Sequence, residues 1–401
     1  MKTKIKNLAE ELFDKTRERR RHLHRNPELS YKEEQTATYI ASVLKDIGIP
    51  HQSGIGGHGV TAIIQGELGL GRTLALRADM DALPIHEQNE HNYRSQNSGV
   101  MHACGHDVHT AVLLGVAEML WRLRKNFSGT IKLIFQPAEE KMPGGASLMI
   151  ADGVLKNPQP QAILGEHVHP ELDAGMVGFK PGMFMASADE LYLSIRGRGG
   201  HAAMPHTLVD TVYLAAQIIN GMQQIVSRRA NPIVPTVLSF GKIHSEGGAT
   251  NVIPEQVYIE GTLRTMDENW REEVHELLHQ ISSDLARAFG GSCELKIVKG
   301  YPPLVNDEEL TRFFMQSARD FLGEDKVVEL PMRMGAEDFA YYARELPACF
   351  YRLGTGGPNK DFRSPLHTPT FDINERSLLT GLGLMCWLSI QYLKSKPKTT
   401  R

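Results

Sequence analysis

The sequence predicts an α/β protein with a helix-covered mixed sheet and a second, smaller domain inserted into it. Two observations predict this class. Short apolar runs alternate with helical segments from Thr61 to Val177, and a segment of different element order follows. Such alternation indicates a sheet with helices packed on its faces. The predicted strands are Ile63–Ile64, Thr73–Arg77, Thr130–Phe135, Ala162–Gly165 and Cys349–Leu353, and the predicted helices are Met1–Arg21, His109–Arg124 and Asn374–Leu393.

The inserted domain is predicted at residues 186–301, which leaves 1–185 and 302–401 as a discontinuous larger domain. Its element order, β-α-β-β-α-β, is typical of a ferredoxin-like unit. In chain order the predicted elements are Glu190–Arg196, Thr207–Arg228, Pro235–Ile243, Gln256–Thr265, Asp267–Phe289 and Cys293–Val298.

Composition excludes several classes of protein. The chain has 401 residues, a formal net charge of −3 and four dispersed cysteines, so neither a nucleic-acid surface nor a disulfide framework is predicted. No apolar run approaches the roughly 18 residues that span a bilayer, and the amino-terminal segment lacks the apolar core of a signal peptide. We therefore expect a cytoplasmic protein without nucleic-acid or membrane partners.

The segment Met101–Thr110 contains one thiol and three imidazoles. Within it, Cys104 and His106 carry the sulfur and nitrogen donors that zinc and related divalent metals prefer. A buried, reduced cysteine in a histidine-rich loop is the ordinary interpretation of a single Cys-x-His pair. Metal binding is favoured here because further ligand-like side chains occur at the ends of other apolar runs.

Those further candidates are Glu139, Glu140, His167 and His367. The first three follow predicted strands, and ligands gather beyond the carboxyl ends of strands in such sheets. Counting one glutamate of the adjacent pair, the candidates supply five donors, which is more than one tetrahedral ion uses but suits two metal ions that share a ligand. Adjacent residues leave an extended chain in opposite directions, so one glutamate is expected to bind metal and the other to act as general base. The residue pattern does not say which is which.

Nine segments together resemble the aminoacylase/hippurate hydrolase family. This family includes N-acyl-amino-acid amidohydrolases and plant hydrolases of auxin–amino acid conjugates, and it is related to carboxypeptidase G-type enzymes. The segments, in the same order as in the family, are RADMDALP (77–84), MHACGHDVH (101–109), FQPAEE (135–140), GEHVHP (165–170), GRGGHAAMPH (197–206), GATNVIPE (248–255), GTLRT (261–265), MGAEDFAYY (334–342) and SPLHTPTFDINE (364–375).

The resemblance implies a zinc-exopeptidase-like catalytic domain with two divalent metal ions (zinc, manganese, cobalt or nickel). The implied ligands are Cys104 as a bridging thiolate, His106, Glu140, His167 and His367. It further implies that Glu139 is the general base and the later proton donor to the leaving amine, and that Asp81 orients a ligand imidazole. In the wider superfamily a histidine occupies the position of Asp79, so the role of Asp79 stays open, as do those of Glu337 and Asp338.

For the inserted domain the resemblance implies a lid that also mediates dimerisation. His201 resembles the histidine that polarises the scissile carbonyl across a dimer interface. Asn251 and Arg264 resemble the residues that bind the substrate α-carboxylate, to which the planar guanidinium is suited. Without the resemblance, Arg264 would be interpreted as an ordinary surface charge. A homodimer or higher homo-oligomer is therefore expected.

The function predicted from the sequence is metal-dependent hydrolysis of N-acyl-L-amino acids to a carboxylic acid and a free amino acid. A carboxypeptidase or dipeptidase on the same scaffold is the nearest alternative. A non-catalytic relative that acts as a binding module is disfavoured, because every catalytic position that matches the family is filled. A thiol amidase with Cys104 as nucleophile would leave Glu139, Glu140, His167 and His367 without a role.

Overall fold

A computed structural model describes residues 1–357 and 361–395 and divides the chain into two compact units. The larger unit comprises Met1–Gly182, Val305–Pro331 and the chain from Asp338 onward, and the smaller comprises Met183–Leu304 with Met332–Glu337. None of the helices in the described residues is long and apolar enough to cross a bilayer.

The helices and strands are named here in chain order. The helices are α1 (Lys2–Arg25), α2 (Glu34–Ile47), α3 (His106–Leu123), α4 (Gly145–Ala151), α5 (Thr211–Gln224), α6 (Glu268–Ala288), α7 (Glu308–Leu322), α8 (Ala340–Glu345) and α9 (Ser377–Lys394). The strands are β1 (His51–Ile55), β2 (Gly59–Gln65), β3 (Thr73–Asp79), β4 (Thr130–Gln136), β5 (Ala162–Asp173), β6 (Val177–Phe179), β7 (Gly182–Met185), β8 (Asp189–Arg196), β9 (Gly200–His201), β10 (Thr236–Ser245), β11 (Val252–Ile253), β12 (Gln256–Thr265), β13 (Ser292–Lys299), β14 (Leu304–Asn306), β15 (Val327–Glu329) and β16 (Ala348–Gly356).

The larger unit is built on an eight-stranded mixed sheet of order β1-β2-β4-β3-β5-β16-β6-β15. Its centre is parallel, since β3 pairs in parallel with β4 and β5, and β16 pairs in parallel with β5. Strands buried on both faces read as continuous apolar runs, and β3 is buried at every position. The predicted mixed α/β fold is confirmed, and the carboxyl ends of β3, β4 and β5 meet at one edge of the sheet.

Helix α3 anchors the core of the larger unit beside this edge. It is buried along nearly its whole length, and a helix that is apolar all round belongs inside a fold. The amphipathic helix α1 buries one face, which includes Leu8 and Leu12. Burial of each such leucine contributes roughly 1.5–3 kcal/mol relative to leaving it exposed. Because α3 is buried along nearly its whole length, its start is held in place where the strands end.

The smaller unit has a four-stranded antiparallel sheet of order β10-β12-β8-β13. Its main elements follow the predicted order of strand, helix, strand, strand, helix and strand. On β8 the buried Leu191, Leu193 and Ile195 alternate with more exposed residues, which is the pattern of a sheet covered on one face. These side chains share a core with residues of α5 and α6.

The predicted bounds of α5 are wrong at both ends. The helix begins at Thr211 rather than Thr207, because the carboxylate of Asp210 accepts hydrogen bonds from the N–H groups of Val212 and Tyr213. This N-cap satisfies backbone donors that have no partner inside the helix. The regular helix ends at Gln224, and a π-helical turn covers 225–229.

Candidate metal centre

The parallel strands bring the predicted ligands to one place in the larger unit. In the register of the sheet, Asp79 at the end of β3 lies opposite Gln136 at the end of β4. Glu139 and Glu140 come three and four residues beyond this end of β4, and His167 lies on β5. Chains that leave one edge of a parallel sheet converge on the space beyond it, so these side chains approach one another there.

Gly105 sets the geometry of the segment that carries Cys104 and His106. Its φ is +82°, and an added Cβ would lie 2.6 Å from the Val168 side chain. Only glycine tolerates this backbone and this close approach without strain. The chain turns sharply here and begins α3 at His106, so Cys104 and His106 are buried on either side of the turn.

His367 reaches the same place through an unusual backbone conformation. Its φ is +62°, which is uncommon for a residue other than glycine, and such conformations concentrate at functional sites. Its N–H donates to the carbonyl oxygen of Ala103 over 2.8 Å. The bond ties this distant part of the chain to the residue before Cys104.

The donor atoms of the five predicted ligands lie within a few ångströms of one another. Cys104 Sγ is 3.4 Å from His167 Nε2 and 3.3 Å from His367 Nε2. Glu140 Oε1 is 3.2 Å from His367 Nε2 and 3.9 Å from His106 Nε2. The atoms form overlapping groups of three, Cys104–His106–His167, Cys104–Glu140–His367 and His106–Glu139–Glu140, each within 4.8 Å.

These donors fit divalent metal ions in both spacing and chemistry. Two ligand atoms ~2.0–2.3 Å from one tetrahedral ion are about 3.3–3.8 Å apart, close to the separations found here. His106 Nε2 and Glu140 Oε1 are buried and have no hydrogen-bond partner among the described residues. Buried polar atoms are normally paired or coordinate metal. A mixture of sulfur, imidazole and carboxylate donors suits zinc and its neighbours rather than calcium.

The remaining nitrogen of each buried ligand imidazole is held by a neighbour. His106 Nδ1 lies 3.1 Å from Asp81 Oδ1, and His167 Nδ1 lies 2.9 Å from the carbonyl oxygen of Val168. Each acceptor favours a proton on Nδ1 of its ring, which leaves Nε2 as the nitrogen available to a metal ion. The other oxygen of Asp81 accepts the N–H of Glu140 over 2.9 Å.

Asp79 and His109 form a chain of hydrogen bonds that runs from Arg77 to the backbone of Val168, next to the ligand His167. His109 Nδ1 lies 2.6 Å from Asp79 Oδ1, and His109 Nε2 accepts the N–H of Val168 over 2.9 Å. The other oxygen of Asp79 accepts from Arg77 over 2.7 Å. No role of His109 is predicted from the sequence, although its place three residues after His106 on a helix puts both rings on one face.

The surroundings of Glu139 are built from two further residues that the sequence did not assign. The backbone N–H of Asp338 donates to Glu139 Oε1 over 3.4 Å. The Asp338 carboxylate accepts from Arg77, Gln136 and the N–H of Ala146. Ala138 has a φ of +53°, and its N–H donates to Glu33 Oε1 over 2.7 Å. The Glu33 carboxylate thus holds the backbone before Glu139, and the Asp338 N–H contacts the Glu139 carboxylate itself.

The electrostatics of the centre indicate an excess of negative charge. Burial alone would lower the pKa of His106, but the carboxylates of Asp79 and Asp81 outweigh it and raise this pKa to about 10. Burial raises the pKa of Cys104, and the nearby charges of Glu140 and Glu139 raise it further. A cation at this point would offset the negative potential of the carboxylates, which raises both pKa values.

The other predicted site residues belong to the smaller unit. His201 on β9 is exposed and pairs with Val252 of β11, while the N–H of Ala202 donates to the carbonyl oxygen of Asn251 over 2.9 Å. The fold therefore brings the backbones at His201 and Asn251 together. Arg264 is partly buried on β12, opposite Val237 of β10.

The chain is similar to known proteins along almost its whole length. The model of peptidase family M20/M25/M40 matches residues 75–388. An N-acetyl-L-cysteine deacetylase of Bacillus subtilis is 41% identical over 361 residues, 90% of this chain and 84% of the relative. An N-acyl-L-amino acid amidohydrolase of Geobacillus stearothermophilus is 42% identical over 308 residues, 77% and 82% of the two chains. Thermostable carboxypeptidase 2 of Saccharolobus solfataricus is 37% identical over 392 residues, 97% and 98%.

Two solved structures have the same fold over nearly the full chain. A putative aminohydrolase from methicillin-resistant Staphylococcus aureus superposes with a TM-score of 0.90 at 36% identity, covering 98% of this chain and all of its own. The Bacillus subtilis YXEP protein, a dinuclear metal-binding peptidase from the M20 family, superposes with a TM-score of 0.82 at 33% identity, covering 96% and 100%.

Proposed function

The chain belongs to peptidase family M20/M25/M40, and from this premise we propose that it hydrolyses N-acyl-L-amino acids to a carboxylic acid and a free amino acid. The observation that carries the proposal is the set of overlapping donor groups around Cys104. Within it, His106 Nε2 and Glu140 Oε1 are buried without a hydrogen-bond partner in the described part of the chain. The names of relatives that are 41% and 42% identical support an N-acyl amino acid as the substrate.

Two divalent metal ions are the proposed cofactors, supported by the dinuclear relative that shares the fold. Zinc, manganese, cobalt and nickel all suit the donor set. The side chains that would hold them are Cys104, His106, Glu140, His167 and His367. When bound, the ions supply Lewis acidity for the amide carbonyl and for water.

Glu139 is the proposed proton carrier of the reaction. Its carboxylate accepts a proton from the attacking water and later delivers it to the departing amide nitrogen. The Asp338 N–H and the strained Ala138 backbone fix the position of this carboxylate. Asp81 keeps His106 in the tautomer that a ligand requires.

The smaller unit is proposed to act as a lid and dimerisation domain. His201, exposed at the end of a short strand, would donate a hydrogen bond to the developing oxyanion from the partner subunit. Asn251 and Arg264 would bind the α-carboxylate that an N-acyl amino acid carries. A homodimer in the cytoplasm completes this proposal.

An exopeptidase activity is the second candidate, favoured by the likeness to a carboxypeptidase. It would use the same centre and differ only in the group on the acyl side of the bond. A thiol amidase is not supported. Burial and the charges of Glu140 and Glu139 raise the pKa of the Cys104 thiol, whereas a nucleophilic cysteine requires a lowered one.

The test combines metal removal with a matched substrate panel. The purified protein is assayed before and after chelation with N-acetyl-methionine, N-benzoyl-glycine and dipeptides of the same amino acids. We expect turnover of the N-acyl compounds to disappear on chelation and to return with zinc, manganese, cobalt or nickel. Dipeptides cleaved faster than every N-acyl compound would replace the proposal with the exopeptidase. Unchanged turnover after complete metal removal would refute a metal-dependent reaction.

A further inference from the structure

A second group of imidazole and carboxylate donors lies in the larger unit, apart from the five ligands described above. His24 on α1 and the loop residues Glu87 and His91 form this group, which we name the His24 cluster. One donor atom from each lies within 4.8 Å of the other two. Glu87 Oε1 is 3.1 Å from His24 Nε2 and 3.2 Å from His91 Nε2. Asp372 Oδ2 lies 3.8 Å from His91 Nε2.

His24 is oriented as a metal-binding histidine is. Its ring is fully buried, and its Nδ1 lies 2.8 Å from Asp107 Oδ2. A ligating histidine almost always donates its other ring N–H to a carboxylate or a carbonyl group, which leaves the free nitrogen with a lone pair. Because Asp107 accepts from Nδ1, Nε2 is the nitrogen left for an ion, and without an ion it lies within hydrogen-bond distance of Glu87 Oε1, 3.1 Å away.

His91 differs from His24, because its ring nitrogens are buried without a hydrogen bond in the described part of the chain. Both ring nitrogens are shielded from solvent and have no hydrogen-bond partner among the described residues. Nε2 lies 3.2 Å from Glu87 Oε1, yet the two atoms are not aligned as donor and acceptor. The ring is fixed by stacking on Tyr93 with a centroid distance of 3.7 Å. Donors that are close but not aligned with one another can share a common ion.

The balance of charges around the cluster is compatible with a divalent cation. Four carboxylates belong to its network of ion pairs: Glu87, Asp107, Asp372 and Glu375. In the described residues, the arginines paired with them are Arg20 and Arg21. With both imidazoles neutral, as metal ligands are, two positive charges face four negative ones in a largely buried place, and buried charge needs compensation.

We propose that His24, Glu87 and His91 bind a divalent transition metal ion as a two-histidine, one-carboxylate site, with Asp372 at its edge. Imidazole and carboxylate donors suit zinc, manganese, iron(II), cobalt or nickel. The ion links helix α1 to the loop that carries Glu87 and His91. Asp107 connects the site to the start of α3, one residue after His106. The role of the ion is structural, because it holds these segments in place.

The test counts ions and locates them. Zinc content per chain is measured after equilibrium dialysis for the wild type, for His91→Asn and for the control His86→Asn, which alters an exposed histidine of the same loop. We expect His91→Asn to bind one zinc ion fewer than the wild type and His86→Asn to bind the same number. In crystals of the wild-type protein, anomalous diffraction at the zinc edge should place an ion ~2.0–2.2 Å from His24 Nε2, Glu87 Oε1 and His91 Nε2.

Equal zinc content in the wild type and His91→Asn would overturn the proposal, and so would a wild-type anomalous map without a peak between the three atoms. In those cases protonated imidazoles balance the charge. The map needs no variant, so misfolding of His91→Asn does not affect it. The count is a difference between variants that share the Cys104 centre, so it is independent of the proposed amidohydrolase activity.

Discussion

Replacing Glu139 with glutamine separates proton transfer from metal binding. The carboxamide has the same shape, and its oxygen can still accept the N–H of Asp338 that Glu139 Oε1 accepts at 3.4 Å. The change removes one negative charge from a group that also contains Glu140, Asp79 and Asp81, so the free energy of unfolding should not fall. An amide cannot take up the proton of the attacking water. General-base help is worth roughly 10²–10⁴-fold, or about 3–5 kcal/mol of activation free energy, and kcat should drop by that factor.

Glu140→Gln is the matched control, because the same chemical change is made one residue away. Glu140 Oε1 lies 3.2 Å from His367 Nε2 and has no hydrogen-bond partner in the described residues. Loss of its charge should weaken metal binding rather than proton transfer. In a metal buffer that keeps the wild type loaded, this variant should lose metal, and excess metal should restore part of its activity.

The assay measures kcat and KM for an N-acyl amino acid together with metal content by mass spectrometry. Glu139→Gln should remain loaded and slow at every metal concentration, with little change in KM. The reverse pattern of metal contents would show that the two roles are exchanged. A Glu139→Gln enzyme within tenfold of the wild-type kcat would refute the assignment of Glu139 as general base.

Three further outcomes are expected. His201→Ala and Glu139→Gln homodimers should each be nearly inactive, and subunit exchange between equal amounts should restore about a quarter of wild-type activity, since half the dimers are hybrids with one intact site of two. Converting the substrate carboxylate to an amide should reduce kcat/KM far more in the wild type than in Arg264→Ala, because Arg264 is proposed to bind that group. Asp189→Asn should lower the unfolding free energy of the smaller unit by about 2–3 kcal/mol at pH 7, because it removes one of the two carboxylates that pair with the buried Arg271 and leaves that of Glu268. Burial would raise the pKa of Asp189, but hydrogen bonds from Arg271 and its neighbours lower it from 3.8 to about 2, so this stabilisation is present above pH 4 and is lost as the pH falls from 4 through 2.

Each of these outcomes has a control. Absence of recovery despite demonstrated subunit exchange would refute the action of His201 on the partner's site. Equal penalties for the amide substrate in the wild type and in Arg264→Ala would remove Arg264 from the carboxylate site. For Asp189, urea unfolding is followed at several pH values, and a difference from the wild type that stays constant between pH 4 and pH 2 would contradict the ionic role.

The sequence by itself was sufficient to predict the fold class and to name the candidate donors. Alternation of apolar runs with helical segments is a local signal that predicts the strands. Because ligands lie beyond the carboxyl ends of parallel strands, the predicted strand ends also predict where the site lies. Cys104, Glu140 and His167 each occur at such a position or beside it, so their convergence was predictable before any coordinates. His367 lies two hundred residues from His167; the residue pattern made it a candidate donor, and the family resemblance implied that it is a ligand.

Only the tertiary structure decided which partner each of these groups has. The backbone N–H of Asp338 donates to the Glu139 carboxylate from 199 residues away, Glu33 accepts the N–H of Ala138, and His109 joins Asp79 to Val168. Residue periodicity records which face of an element is buried, but not which distant group completes a hydrogen bond there. The pairing depends on sheet register and on where helices pack, and these are set by the whole chain at once. The sequence therefore named the candidate donors, and the fold determined their hydrogen-bond partners and their electrostatic surroundings.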